Sequence, residues 1–255
     1  MNIPYIGVTG FMSRNEVKQA LLVVPKNSKH KLAVGVLMSS KTLAGMQNKW
    51  PGRYPKRDDV PTIFFSDSRA INIIHYNTDN PETICKQLME ITLRYDQFFD
   101  GFQLNVAWPS VDELRFYRDP HFSRCLSSKN KHLILQIGAQ AMEQVPDLQE
   151  FVERLEKYTS VVDSILVDQS AGKGKSLDPA KGGEILRMVS KHSSLGLGIA
   201  GGLNAQTLDV LKSLIRRFPN LSIDAEGRLR TSQPEDALDM EKTHAYLRGA
   251  YALLG

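Results

Sequence analysis

A carboxylate closes the run Ile165-Leu166-Val167-Asp168, and residues 223–230, IDAEGRLR, carry two more, Asp224 and Glu226. Side chains alternate along an extended chain, so Asp224 and Glu226 share one face. Asp168 follows three apolar residues, and burial there would raise its pKa and suit it to acid or base work. Its competing role is structural: capping the next turn, or meeting Lys173 or Lys175. His75 and Asn77 end INIIHYN, residues 71–77. Gln103 and Asn105 share a face of GFQLNVAW, residues 101–108, while Phe102 and Leu104 take the other. Thr9 ends YIGVT, and Gln136 lies in HLILQIG, residues 132–138. Asp168, Glu226, Asp224 and His75 are therefore the catalytic candidates. Gln103, Asn105, Asn77, Gln136 and Thr9 are candidates for holding a substrate.

A second chemistry is written in glycines. GLGIAGGLNAQTL, residues 196–208, ends an apolar run on Gly201-Gly202 and then turns polar. Glycine weakens a strand but lets the backbone approach a ligand closely. Asn204 can cap a helix, and residues 205–217 read as that helix. A strand, a glycine turn and a capped helix start together suit an anion, because backbone N–H groups point outward there. The alternative is a tight turn with no ligand. Gly227 and Arg228 follow the last apolar run, and Gly172 and Gly174 alternate with Lys173 and Lys175 after Asp168. Gly201, Gly202, Gly227, Arg228, Gly172 and Gly174 are the phosphate-binding candidates.

The elements that must position these residues follow one rhythm. Apolar runs at 5–9, 32–38, 71–77, 101–108, 132–138, 164–168, 195–201 and 221–225 alternate with amphipathic stretches such as 81–99 and 147–161. Continuous apolar runs are expected of parallel strands buried on both faces. Eight such units predict an α/β fold, a single-domain (β/α)8 barrel spanning residues 1–255, in preference to a doubly wound open sheet. The polar residues then gather where the strands end, which is the face where barrel enzymes do their chemistry. One connection is long. Residues 39–70, between the second and third runs, hold Lys49, Trp50, Arg53, Tyr54, Lys56 and Arg57. Long loops are usually functional or disordered. This one reads as a lid that brings Arg53 and Arg57 to a ligand, or as a solvated excursion in which Trp50 and Tyr54 pack locally.

Composition narrows the class. At 42% hydrophobic and 24% charged, the chain falls in the ordinary globular range. No apolar run approaches the ~20 residues that span a bilayer, and the first residues lack a signal-peptide pattern. Two cysteines, Cys85 and Cys125, each in an expected helix, imply neither a disulfide framework nor a zinc site. The expected location is cytoplasmic. A net charge of +4 suits an anionic small molecule and is too diffuse to argue for nucleic acid. His75 has no second histidine at ligand spacing, so no metal is expected. No cofactor motif is present, and the chain is expected as a monomer or homodimer.

Several of these segments resemble those of phosphoribosylanthranilate isomerase, the tryptophan-pathway member of the phosphate-binding barrels. IGVT (6–9) is similar to the end of its first-strand K-I-C-G-hydrophobic-T, and NTDNPETI (77–84) to its third-strand Asn and the helix after it. FQLN (102–105) resembles V-Q-L-H, and ILVDQSAGKGKSLD (165–178) resembles an apolar strand ending in Asp, then a G-G-T-G loop and F-D. IAGGLNAQTL (199–208) resembles L-A-G-G-L-N-P-x-N-V, and IDAEGRLR partly resembles V-D-V-S-S-G-V-E. The resemblance implies a barrel that holds a ribose phosphate on the glycines after strands seven and eight, with Asp168 in the place of the general acid. It also exposes departures. Ile6 stands at the family's general-base cysteine, Asn105 at its strand-four histidine, and Ala225-Glu226 at its Ser-Ser, one residue short. The family's substrate-binding arginine after strand two has at best Lys41 or the long loop in its place. The implied function is an enzyme acting on a phosphorylated, phosphoribosyl-containing small molecule, isomerase-like with an altered general base. The alternatives are a hydrolase, lyase or transferase acting at ribosyl C1 with a carboxylate pair, or a non-catalytic phosphosugar- or nucleotide-binding barrel.

Overall fold

Apolar side chains on both faces of a strand need cover on both sides, and a closed parallel sheet ringed by helices provides it. The computed structural model describes residues 3–121, 127, 130–145, 147–169 and 177–254. All eight apolar runs are strands: β1 Tyr5–Thr9, β2 Lys31–Ser39, β3 Ala70–Asn77, β4 Gly101–Leu104, β5 His132–Ile137, β6 Ser164–Asp168, β7 Gly196–Ala200 and β8 Ser222–Ala225. Each pairs in parallel with the next, and β8 closes onto β1. The fold is a single-domain (β/α)8 barrel.

Two apolar layers result from strand alternation. Tyr5, Ala33, Ile71, Ile73, Ile134, Leu166 and Ala200 fill the barrel interior. Ile6, Val8, Leu32, Val34, Ile74 and Phe102 face outward and pack with the surrounding helices. Local signals set the helix starts. Ser13 caps Arg14–Leu21 in a capping box with Glu16, Asp147 caps Leu148–Glu156, and Asp178 caps Pro179–His192.

Three connections differ from their sequence expectation. β4 ends at Leu104, so Asn105 lies beyond the strand and is exposed. The helix expected over 205–217 begins late, as a 3-10 turn Leu208–Leu211 followed by a helix Lys212–Arg217. The cause is local: Asn204 Oδ1 accepts from the backbone N–H groups of Gln206 and Thr207, and the Thr207 hydroxyl donates to Gly202 O at 3.1 Å. Side-chain bonds of this kind compete with helix formation. The long connection after β2 is not one continuous loop. Its stem holds the short helices Ser40–Leu43 and Val60–Ile63, with a 3-10 turn Arg57–Asp59 between them.

The interior layer also sets small residues against large ones. Gly35 of β2 faces inward beside Thr9, its partner on β1, and a Cβ there would come within 2.5 Å of Thr9 Oγ1 and 2.9 Å of Thr9 Cα. Backbone cannot retreat as a flexible side chain can. Gly35→Val should therefore destabilise the barrel by about 1–3 kcal/mol, read as a lower urea midpoint with an unchanged slope.

Candidate active site

At the C-terminal end of the barrel the inward positions turn from apolar to polar, and a cavity of about 90 Å³ opens there. That volume holds a few water molecules. Asp168 ends β6, Asp224 lies on β8 and His75 on β3, and all three line it, with Gln136 from β5. Strand register explains the grouping: Asp168 pairs with Ala200, Ala200 with Asp224, and Asp224 with Gly7. Ala200 is small, so the two carboxylates flank an open position.

The side chains form one hydrogen-bonded chain. Gln136 Nε2 donates to Asp168 Oδ2 at 3.0 Å, and Gln136 Oε1 accepts from Gln103 Nε2 at 3.0 Å. Gln103 Nε2 also faces Asp224 Oδ2 at 3.3 Å and His75 Nδ1 at 3.4 Å. Thr9 Oγ1 lies 3.2 Å from both oxygens of Asp224. Thr9 and Gln103, expected to meet substrate, are thus set behind Asp224 and hold it. Asn77, which ends β3, and Asn105, which lies just beyond β4, do not line the cavity.

Burial tunes the titratable groups. It pushes the Asp224 carboxyl up to about 7, helped by Glu226 and Asp168 and opposed by Gln103 and Thr9. It pushes the His75 imidazole down to about 4, so this ring is neutral at pH 7. His75 Nε2 is buried without a hydrogen-bond partner among the described residues. Burial also raises Glu226, against the nearby guanidinium of Arg53.

The glycine turns reach the same cavity. Gly201 and Gly202 have φ of 127° and 58°, values that side chains rarely adopt, and both line the cavity with Gly227 and Arg228. A Cβ at Gly227 would meet nothing. Gly172 and Gly174 lie outside the described residues.

From the long connection, Arg53 alone of the two expected arginines arrives. Arg53 Nη1 pairs with Glu226 Oε1 at 3.0 Å, and Arg53 Nε pairs with Asp236. Asp236 also binds the buried Arg230, which donates to Gly52 O at 2.7 Å. This network of two arginines and two carboxylates ties the connection to the segment after β8. Arg57 is directed elsewhere: it pairs with Asp58 at 3.3 Å and lines a separate groove with Met12, Tyr54 and Lys56. Trp50 is half-exposed under Lys49.

Ile6 does not face this site. Its side chain is fully buried in the outer layer, and the interior positions of β1 are Tyr5, Gly7 and Thr9. A thiol at position 6 would point at the helices. Gly7, Arg230 and Asp236 were missed in the sequence. Gly7 offered one signal, a glycine in the middle of an otherwise β-branched and aromatic strand. Among the described residues no group of three or more His, Cys, Asp or Glu side chains is placed to hold a metal ion, and no helix is long and apolar enough to cross a membrane.

The raised Asp224 pKa has a consequence for stability. The folded state binds this proton more tightly than the unfolded state, so ionisation works against folding. The parent protein should lose stability relative to Asp224→Asn as pH rises from about 4 to 7, by up to about 4 kcal/mol. Urea unfolding of both proteins across that range measures the difference.

No family model matches the chain, and no curated protein sequence matches it. Solved structures do match its fold. A phosphoribosyl anthranilate isomerase in complex with reduced 1-(o-carboxyphenylamino)-1-deoxyribulose 5-phosphate is 15% identical, covers 98% of this chain and 100% of its own, and has a TM-score of 0.60. TrpF from Jonesia denitrificans is 14% identical over 98% of each chain, with a TM-score of 0.61. The carboxyl transferase domain of Rhizobium etli pyruvate carboxylase, with pyruvate, is 12% identical over 99% of this chain and 49% of its own, with a TM-score of 0.57. At these identities the likeness is one of fold: the chain has a (β/α)8 barrel similar to that of the phosphoribosyl anthranilate isomerases.

Proposed function

We propose that the protein is an enzyme that binds a phosphorylated, phosphoribosyl-containing small molecule at the barrel mouth and acts on it by acid–base chemistry of the isomerase type. The observation that carries this reading is a single cavity lined both by Asp168 and Asp224 and by Gly201, Gly202, Gly227 and Arg228. The glycines and Arg228 suit an oxyanion, since glycine lets the backbone approach a ligand closely and a guanidinium favours negative charge. The two carboxyl groups suit proton transfer, since Asp224 titrates near neutrality and stands across Ala200 from Asp168. The isomerase of matching fold was solved with a ribulose 5-phosphate derivative, which agrees with this choice of ligand.

Arg53 lines the cavity and pairs there with Glu226. Its ion pairs with Glu226 and Asp236 must loosen, or the connection must shift, before a ligand larger than the present space can enter. Reaction at ribosyl C1 with a carboxylate pair would then use Asp168 and Asp224, because Glu226 is occupied by Arg53.

Ribose 5-phosphate is the first ligand to test, by calorimetry beside ribose and inorganic phosphate. The phosphosugar and phosphate should bind and ribose should not. Gly202→Val should weaken ribose 5-phosphate at least tenfold, about 1.4 kcal/mol, with its thermal transition still cooperative. Equal affinity in parent and variant would leave the glycines as a turn and remove the phosphate reading.

A further inference from the structure

A buried carboxyl group is costly, and several residues in this barrel are arranged around one. Asp224 is 6% exposed, yet it reaches the cavity wall. Its carboxyl lies across β1, in the space that a side chain at position 7 would occupy: a Cβ added to Gly7 would collide with Asp224 Oδ1. Thr9 holds both oxygens of the carboxyl, and Gly35 makes room for Thr9. Gln103 supplies the last donor and links Asp224 through Gln136 to Asp168. An apolar residue would fill the same volume without desolvating a carboxyl.

The neighbouring candidates are otherwise engaged. Glu226 is paired with Arg53 and anchors the connection after β2. His75 faces the Gln103 amide through Nδ1, and its unpartnered Nε2 is suited to hydrogen-bonding a ligand.

Building on the phosphoribosyl reading above, we propose that Asp224 is the second acid–base group of the mouth, giving a proton to a substrate oxygen while Asp168 takes one from the adjacent carbon, and that Gly7, Thr9 and Gln103 are its positioning residues. With ribulose 5-phosphate the step is an enolisation. A carboxylate oxygen of Asp168 takes a proton from C1, and the C1–H electron pair forms the C1=C2 bond. The C2=O π pair moves onto oxygen, which takes the proton of Asp224. The products are the enediol, a protonated Asp168 and an ionised Asp224. Reversal in D₂O leaves deuterium on C1.

The groups facing Asp224 are Tyr5 from β1, His75 from β3, Asp168 from β6, Glu226 just after β8 and Tyr246 from the helix Met240–Leu254. With its pKa near 7, the donor form of Asp224 is lost as pH rises through neutrality.

The test uses the full chain and ribulose 5-phosphate, with calorimetry for binding and proton NMR in D₂O for exchange at C1. The parent should bind and exchange, with a rate that falls above about pH 7. Asp224→Asn should bind with similar affinity and exchange about 100-fold more slowly or worse. Thr9→Val removes a donor to the carboxylate and should move the falling limb to higher pH, an effect that a merely structural threonine would not have. Full exchange by Asp224→Asn, an unshifted limb in Thr9→Val, or binding by the parent without exchange overturns the proposal. Absence of ribulose 5-phosphate binding overturns the phosphoribosyl reading itself, and this role with it.

Discussion

The buried carboxyl of Asp224 is the constraint around which the barrel mouth is organised. A closed eight-stranded barrel has an interior just wide enough to be filled by its own side chains. Placing a carboxyl there requires space, and β1 gives it at Gly7. It also requires donors, and Thr9 and Gln103 give those. Each accommodation forces another. Thr9 needs Gly35 beside it, and Gln103 needs Gln136, which in turn fixes Asp168. A single desolvated group thus determines residues on β1, β2, β4, β5 and β6.

The long connection after β2 meets this core through ion pairs. Arg53 bridges Glu226 and Asp236, and Arg230 holds Asp236 from below. Arg230 is only 4% exposed, so removing its partner would strand a charge in the interior. Breaking such a pair typically costs several kcal/mol, far more than a surface pair contributes. The connection after β2 is therefore fastened to the segment that follows β8.

The fold and the chemistry separate cleanly in this protein. Barrels as different as a phosphoribosyl anthranilate isomerase and a carboxyl transferase domain match its architecture at 12–15% identity. The same scaffold supports many reactions because the active groups sit at strand ends and in loops. The function proposed above therefore rests on particular side chains. In that proposal, glycine turns after β7 and β8 form the anion end, and carboxyl groups on β6 and β8 form the proton-transfer end. Ile6, which the resemblance sets at the family's general-base cysteine, belongs to the outer layer and does not face the mouth.

The amino-acid sequence determined the barrel. Eight apolar runs of strand length, separated by amphipathic helices, can bury both faces only in a covered parallel sheet, and all eight became strands. It also marked Asp168, Asp224, His75 and Gln136, which alternation sends to the mouth, but it marked Asn77 and Asn105 alike, and these do not line the cavity. What it could not determine was partnership across the barrel. Thr9 and Asp224 are 215 residues apart, and Arg53 and Asp236 are 183 apart, so no local pattern relates them. Arg53 and Arg57 read alike in sequence, but only Arg53 meets carboxylates at the mouth, while Arg57 turns toward Asp58. Ile6 read as a site position because its neighbours matched a motif, yet the direction of a β-strand side chain depends on register, and register placed Gly7 and Thr9 inward. The neutral-range titration of Asp224 likewise belongs to the tertiary structure alone, since only closure of the barrel removes water from that carboxyl.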